Sequence, residues 1–197
     1  AARSGTLVNV AEIGRSLGMP QTTLKRYLAL LEILFVVQPV PAWTANIGKR
    51  MVQAPRMGLV DTGLACALLG CDAGRLAADS GLFAAMLESF VAIELRKQAS
   101  WSRLRPQVLH FRTHAQQEVD LVLEDGLGRI VGVEVKNSRG LGGDAAKGLR
   151  TLEEMIGEKF LRGVILYIGP EVVPFGERIH AVPMTALWQG EQARAGR

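Results

Sequence analysis

The sequence predicts an α/β (α+β) chain in two parts: an N-terminal winged helix-turn-helix, then a larger domain on a mixed central sheet. Three observations carry this expectation. Two short helical patterns, parted by Gly18-Met19-Pro20, are followed by two extended runs, the order helix, turn, helix, hairpin. A Gly/Ala/Asp-rich stretch, "GCDAGRLAADSG" (70–81), then places a division near residues 71–80. Beyond it a strong helix leads into three alternating segments, another helix and two more apolar runs, a meander within a mixed sheet.

In chain order, Asn9 can cap a helix over 9–17, with Val10, Ile13 and Leu17 at helical spacing. Residues 21–34 restart a helix, with Leu24, Leu28, Leu31 and Ile33 on its core side. "FVVQPVPAW" (35–43) reads as a strand, 44–48 as a loop, and "RMVQAPRMGLVD" (50–61) as a second extended run. Gln21, Thr22, Lys25 and Arg26 open the second helix. On a winged helix they would face nucleic acid, DNA before RNA; otherwise they are a solvated face on a module that connects proteins. "TGLACALL" (62–69) is a short helix. A helix over 81–99 follows, then strands 107–113, 117–124 and 130–137, a helix 144–156, and strands 162–168 and 178–183. The expected domains are 1–73 and 74–190, with 191–197 a flexible tail.

Composition bounds the function classes. With 197 residues, 48% of them hydrophobic, the chain can bury one large or two small cores. No run approaches 18 uncharged apolar residues, so no membrane helix is expected. The start, "AARSGTLVNV", has neither initiator Met nor signal-peptide apolar region, so the chain reads as a piece of a longer, cytoplasmic protein. A net charge of +4 permits a nucleic-acid partner without requiring one. Cys66 and Cys71 are the only cysteines, with no second pair or nearby His. Zinc spacing is therefore missing, and two reduced, half-buried thiols are expected.

The chemistry concentrates in the meander. Alternate residues of a strand share a face, so Glu118, Asp120, Val122 and Glu124 share one, and Glu134 and Lys136 extend it on the next strand. An odd loop, Gly126-Leu127-Gly128, keeps the acids out of the apolar face and sets Asp120 against Glu134 and Glu118 against Lys136. One strand earlier, an odd loop centred near Ala115 sets His110 beside Asp120 and Arg112 beside Glu118. Like charges directly opposite destabilise a sheet, so the Asp120–Glu134 pair has a cost that a divalent cation would remove. The competing reading is an exposed face whose charges compensate, Arg112 with Glu118 and Lys136 with Glu134.

The preceding helix adds Glu88. Within about 60° of it, at 100° per residue, lie Gly81, Ala84, Ala85, Val91, Ala92, Leu95 and Ala99, a small-residue seam able to lie close against a sheet. An unpaired acid buried there would cost several kcal/mol. Glu88 is thus either a core acid paired with an Arg or a third metal-site carboxylate.

A helix acid, a strand Asp, and "EVK" (134–136) on the next strand resemble the PD-(D/E)xK nuclease superfamily. No Pro-Asp precedes the hairpin; "EVD" (118–120) stands in its place. The whole run of "LKRYLALLE" (24–32), "LVDTGLACALLG" (59–70), "LESFVAIEL" (87–95), "HFRT" (110–113), "QEVDLVLE" (117–124) and "GVEVKNS" (132–138) also resembles the C-terminal region of bacterial and archaeal AAA-type ATPases of the ATP-binding-protein class. There a winged helix precedes a nuclease-like domain of unassigned function. The resemblance implies a restriction-endonuclease-like fold for 74–190, with Glu88, Asp120 and Glu134 holding Mg²⁺ or Mn²⁺. Lys136 would be the catalytic partner and His110, Arg112 and Glu118 supporting groups. It also implies a nucleic-acid substrate and an ATPase domain elsewhere in the parent chain. The alternative it leaves is a non-catalytic module binding nucleic acid or protein. A phosphate loop, G-x-x-x-x-G-K-[ST], is missing: "GLGGDAAKGL" (140–149) has the wrong spacing, and Lys147 is not followed by Ser or Thr. That stretch reads as a loop into a helix, with Asp144 near the cap.

Overall fold

The computed structural model describes residues 1–45, 54–113 and 117–189. The loop near Ala115, part of the 44–48 loop, the start of the 50–61 run and the 191–197 tail lie outside the described residues. The chain divides into two compact units, Ala1–Phe90 and Val91–Arg197.

The first unit contains β1 (Thr6–Leu7), α1 (Val10–Ser16), α2 (Gln21–Ile33), β2 (Val37–Val40), β3 (Arg56–Leu59), α3 (Thr62–Leu68), α4 (Ala73–Ala78) and the first half of α5 (Ser80–Trp101). Its strands form an antiparallel sheet in the order β1-β3-β2. Asn9 caps α1 by accepting from the Glu12 N–H at 3.1 Å, which satisfies an otherwise orphaned donor. Gly18, at φ +61, turns the chain towards α2 in a conformation that side chains resist. Val37, Leu59, Ala65 and Met86 form a core cluster.

Two expectations need correction here. Leu24 is buried, but Ile33 is 70% exposed, and Leu31 is exposed too. Nine residues at 100° each put Ile33 about 180° from Leu24, so one stripe cannot hold both. Leu31 does lie on the stripe with Leu28, where both line an apolar cavity of about 340 Å³ with Leu7, Ile13 and Met57. The cavity leaves Leu31 open to water. The second correction concerns 70–81, read as a break. It contains α4, capped by Asp72 accepting from the Arg75 N–H at 2.8 Å, and the start of α5, where Asp79 accepts from the Leu82 N–H at 2.9 Å. Its aspartates are helix caps rather than linker residues, and the units divide further on, within α5.

The second unit is built on a six-stranded mixed sheet in the order β4-β5-β6-β7-β9-β8. Its strands are β4 (Gln107–Arg112), β5 (Glu118–Glu124), β6 (Ile130–Lys136), β7 (Phe160–Tyr167), β8 (Val173–Pro174) and β9 (Ile179–Pro183). The predicted meander is present: β4, β5 and β6 pair antiparallel. From β6 the chain crosses through α6 (Lys147–Ile156) to β7, which pairs parallel with β6 and β9, as a parallel connection requires. Leu149 and Leu152 of α6 are fully buried. They seat over Gly132, where an added Cβ would lie 2.6 Å from the Leu149 Cδ2. The chain closes with α7 (Ala186–Gln189). Among the described residues no helix is long and apolar enough to cross a membrane.

Candidate functional site

The β5–β6 turn sets the site's register. Asp125 N–H donates to the Arg129 carbonyl at 3.1 Å, leaving Gly126-Leu127-Gly128 as the three-residue loop the sequence requires. Asp125 Oδ1 accepts from the Leu127 and Arg129 amides, both at 2.9 Å, and Oδ2 takes the Arg129 Nε at 2.7 Å. Gly128, at φ +72, supplies the left-handed position. Beyond this turn Glu124 faces Ile130, and the count runs on to Leu121 facing Val133. Continued, it brings Asp120 level with Glu134 and Glu118 level with Lys136.

The ladder itself ends at Leu121–Val133. Past that point the Val135 N–H donates to Asp120 Oδ2 at 2.9 Å. An aspartate side chain thus takes an amide that a regular ladder would give to a backbone carbonyl. The two acids are neighbours where the strands part, rather than partners within the ladder. Asp120 is 9% exposed, so this buried bond is a large part of what holds its carboxylate in place.

Glu134 is the more strained of the pair. Its Oε1 accepts from Lys136 Nζ at 2.7 Å, while its buried Oε2 has no hydrogen-bond partner among the described residues. Burial, and then the charge of Asp120, push its carboxyl up to about 7; Lys136 and the Asp120 backbone amide oppose the rise. A carboxyl raised in the fold binds a proton there more tightly than in the unfolded chain. Its stabilising contribution is complete below the ordinary value of 4.5 and is lost as pH rises through about 7. The span corresponds to on the order of 3 kcal/mol. Glu134→Gln, which mimics the protonated form, should therefore gain stability relative to wild type as pH rises across this window. Urea denaturation over the same range would show it, and parallel curves would mean that charging Glu134 costs nothing.

The neighbouring charges settle into pairs. Arg112 faces Glu118 and Arg112 Nε lies 3.0 Å from Glu118 Oε1, as expected; Lys136, level with Glu118 by count, pairs with Glu134. Both ion pairs of the salt-compensated reading are thus present, but on a face that buries Asp120 and most of Glu134. His110 keeps its expected level: with Phe111 facing Val119 and Arg112 facing Glu118, one further step brings it to Asp120. The β4–β5 register shifts between Leu109 and Phe111, a bulge that re-aims side chains, and Leu109, His110 and Phe111 are all buried.

Glu88 belongs to the first unit. Its Oε2 lies 3.8 Å from Arg56 Nη1, and its side chain is 34% exposed, so it is an acid beside an Arg rather than a lone buried charge. Among the described residues no group of three or more His, Cys, Asp or Glu is arranged to hold a metal ion. Lys25 and Arg26, with Gln21 and Thr22, are exposed on α2.

Sequence reasoning missed Gly148. A Cβ there would collide with the Glu118 carbonyl oxygen, so a bare backbone on α6 lets the helix sit against the start of β5. The visible signal was a glycine inside the helical pattern "AAKGLRTLEEM", which usually has a packing reason.

Arranged this way, two crowded carboxylates and an ammonium can bind a hard cation and a phosphate, or share a proton. Compared with known families, residues 83–187 match DUF4143, a domain of unknown function, and residues 1–75 match DUF8612, described in the same words. Two curated relatives, the uncharacterized proteins Rv2008c of Mycobacterium tuberculosis and Mb2031c of Mycobacterium bovis, are each 35% identical over 181 residues, or 91% of this chain. The chain spans 38% of the length of each. No solved structure matches. The DUF4143 match covers more than half of the chain and contains the whole acid pair; the chain belongs to that family of domains of unknown function.

Proposed function

We propose that the second unit carries a PD-(D/E)xK-type site for metal-dependent phosphodiester hydrolysis on nucleic acid, DNA first. In this reading it works in the cytoplasm as the C-terminal module of an AAA-type ATPase. The observation that carries the proposal is the Asp120–Glu134 pair: Asp120 is buried, the Glu134 side chain is mostly so, and Glu134 Oε2 lacks a hydrogen-bond partner among the described residues. Two carboxylates fit Mg²⁺ or Mn²⁺, since such ions take one or two of them and complete their shell with water and substrate phosphate. When bound, the metal would supply Lewis-acid polarisation of the phosphodiester and a water of lowered pKa. Asp120 is oriented for ligation by the Val135 amide, and Glu134 is held by Lys136. Lys136 would turn from Glu134 to the phosphate and stabilise the charge that develops there. Arg112, on Glu118, would steady the outer edge and grip a neighbouring phosphate. Buried His110 would pack behind the pair.

The mixed order of the sheet, with the acids on adjoining strands and a parallel crossover behind them, is compatible with the nuclease-like fold. In the first unit, the order β1, α1, α2, β2, β3 and the sheet β1-β3-β2 support a winged helix. Its α2 would present Lys25 and Arg26 to a nucleic-acid backbone. Cleavage assays with Mg²⁺ and Mn²⁺ on single- and double-stranded DNA and RNA test the proposal, with Asp120→Asn and Lys136→Ala as controls. Metal-dependent cleavage lost in both variants is expected, and none on any substrate would overturn it.

A second reading, a protein-binding module of the parent ATPase, draws support from the apolar run Tyr27, Leu30, Ile33, Leu34 and Phe35, every member of it exposed. Monomeric surfaces seldom expose such a patch. Either reading predicts that ATP, added to the chain already held at constant Mg²⁺, leaves the melting temperature unchanged, because this sequence has no phosphate loop. Ligand at 100 times its dissociation constant would add about 2.7 kcal/mol, so a saturable shift in differential scanning fluorimetry would reject that expectation.

A further inference from the structure

Helix α3 ends in "CALLGC" (66–71). The Cys71 N–H donates to the Cys66 carbonyl at 2.9 Å and the Gly70 N–H to the Ala67 carbonyl at 3.1 Å. Gly70 sits at φ +58. This pair of bonds, closed through a left-handed glycine, is a Schellman cap, which brings into contact the side chains three residues before and two after the cap residue's junction. In this chain both of those residues are cysteines. Both are free and half-buried; the Cys71 thiol donates to the Asp72 carbonyl at 3.5 Å, and the Cys66 thiol is among the groups that act on it.

We propose that Cys66 and Cys71 are a redox modification site, a dithiol that closes to an intramolecular disulfide across the α3 cap on meeting a small-molecule disulfide such as oxidised glutathione. A disulfide needs Cα atoms roughly 4.4–6.8 Å apart with converging Cβ atoms, and the direct Cys71–Cys66 backbone bond keeps the two main chains close. One protein thiol loses its proton, and its sulfur attacks the small disulfide, forming a mixed disulfide and releasing one small thiolate. The second protein thiolate then attacks the protein sulfur of that bond and releases the other small thiolate. The protein gives up two protons and two electrons, and the small disulfide leaves as two thiols.

The surroundings set the rate and the consequence. Burial, and next Cys66, push the Cys71 thiol above its ordinary value; Arg75 opposes this and Asp72 adds to it. Closure is therefore slow at neutral pH and quickens as pH rises, because the thiolate is the attacking species. Cys66 packs against the Val37, Leu59, Ala65 and Met86 cluster and borders a cavity of about 310 Å³ with Leu76, Phe83 and Phe90. The cavity leaves the Cys66 side chain loosely packed on that side. The inference is independent of the acid pair.

The test equilibrates the chain with glutathione buffers of rising oxidised-to-reduced ratio, quenches by alkylation, and reads intact mass and melting temperature. Both thiols should vanish together in the monomer, with a higher melting temperature, and return on reduction. Cys66→Ser and Cys71→Ser should each stop at a single glutathione adduct without that rise. Unfolding urea should raise the ratio needed for closure, since the cap no longer holds the thiols together. Two alkylatable thiols at the most oxidising ratio, a doubly glutathionylated wild type, or a disulfide-linked dimer would overturn the proposal. So would equal closure in urea.

Discussion

Millimolar Mn²⁺ should raise the melting temperature of the wild-type chain and leave Asp120→Asn unmoved. Two carboxylates that repel at close range in a buried site are relieved when a cation sits between them, and a site filled to 100 times its dissociation constant adds about 2.7 kcal/mol. Asn is the informative substitution because its side-chain oxygen can still accept from the Val135 N–H that Asp120 now satisfies. Asp120→Ala removes that acceptor, leaves a buried amide unpaired, and should cost about 1–3 kcal/mol whether or not a metal binds. Lys136→Ala should keep the metal response, since an ammonium is no ligand, while cleavage falls by roughly 10²–10³ as the charge-stabilising donor is lost. If the charges are only a compensated cluster, metal does nothing and Asp120→Asn is neutral or stabilising, because a repulsion disappears. Isothermal calorimetry on wild type and Asp120→Asn separates the two cases.

Gly148→Ala should destabilise the second unit by about 3 kcal/mol, towards the upper end for overpacked sites. The added methyl points at the Glu118 carbonyl oxygen, with the Val119 side chain also in contact. Neither group is the free end of a flexible chain. Relief would mean lifting α6 from β5, which draws the buried Leu149 and Leu152 off Gly132. Because Asp120 lies two residues beyond Glu118, Gly148→Ala should also weaken any metal response, whereas Gly142→Ala, with open space around its Cβ position, should change neither. Urea denaturation of the two variants checks this, and equal stability would show that α6 shifts at no cost.

Much of this molecule was legible in its residues. Alternation in 117–124 and 130–136, with Gly126 and Gly128 between them, determined an odd loop and hence that Asp120 and Glu134 share a level, because strand periodicity is local and turn chemistry fixes parity. The helix cap Asn9 was likewise written in short-range chemistry, whereas Asp72, in a stretch read as a break, was not recognised as a cap. Tertiary structure decided the rest. A bulge set two residues of β5, Asp120 and Leu121, opposite buried His110, and the parting of β5 from β6 gave the Val135 amide to Asp120. The α2 stripe was left partly uncovered because a helix's own period cannot say how far its partner surface extends. The approach of α6 to Glu118 depends on a glycine whose neighbour lies 30 residues away in sequence. The acids' proximity follows from parity along the chain; their burial, and the raised carboxyl of Glu134, follow only from what the fold packs around them.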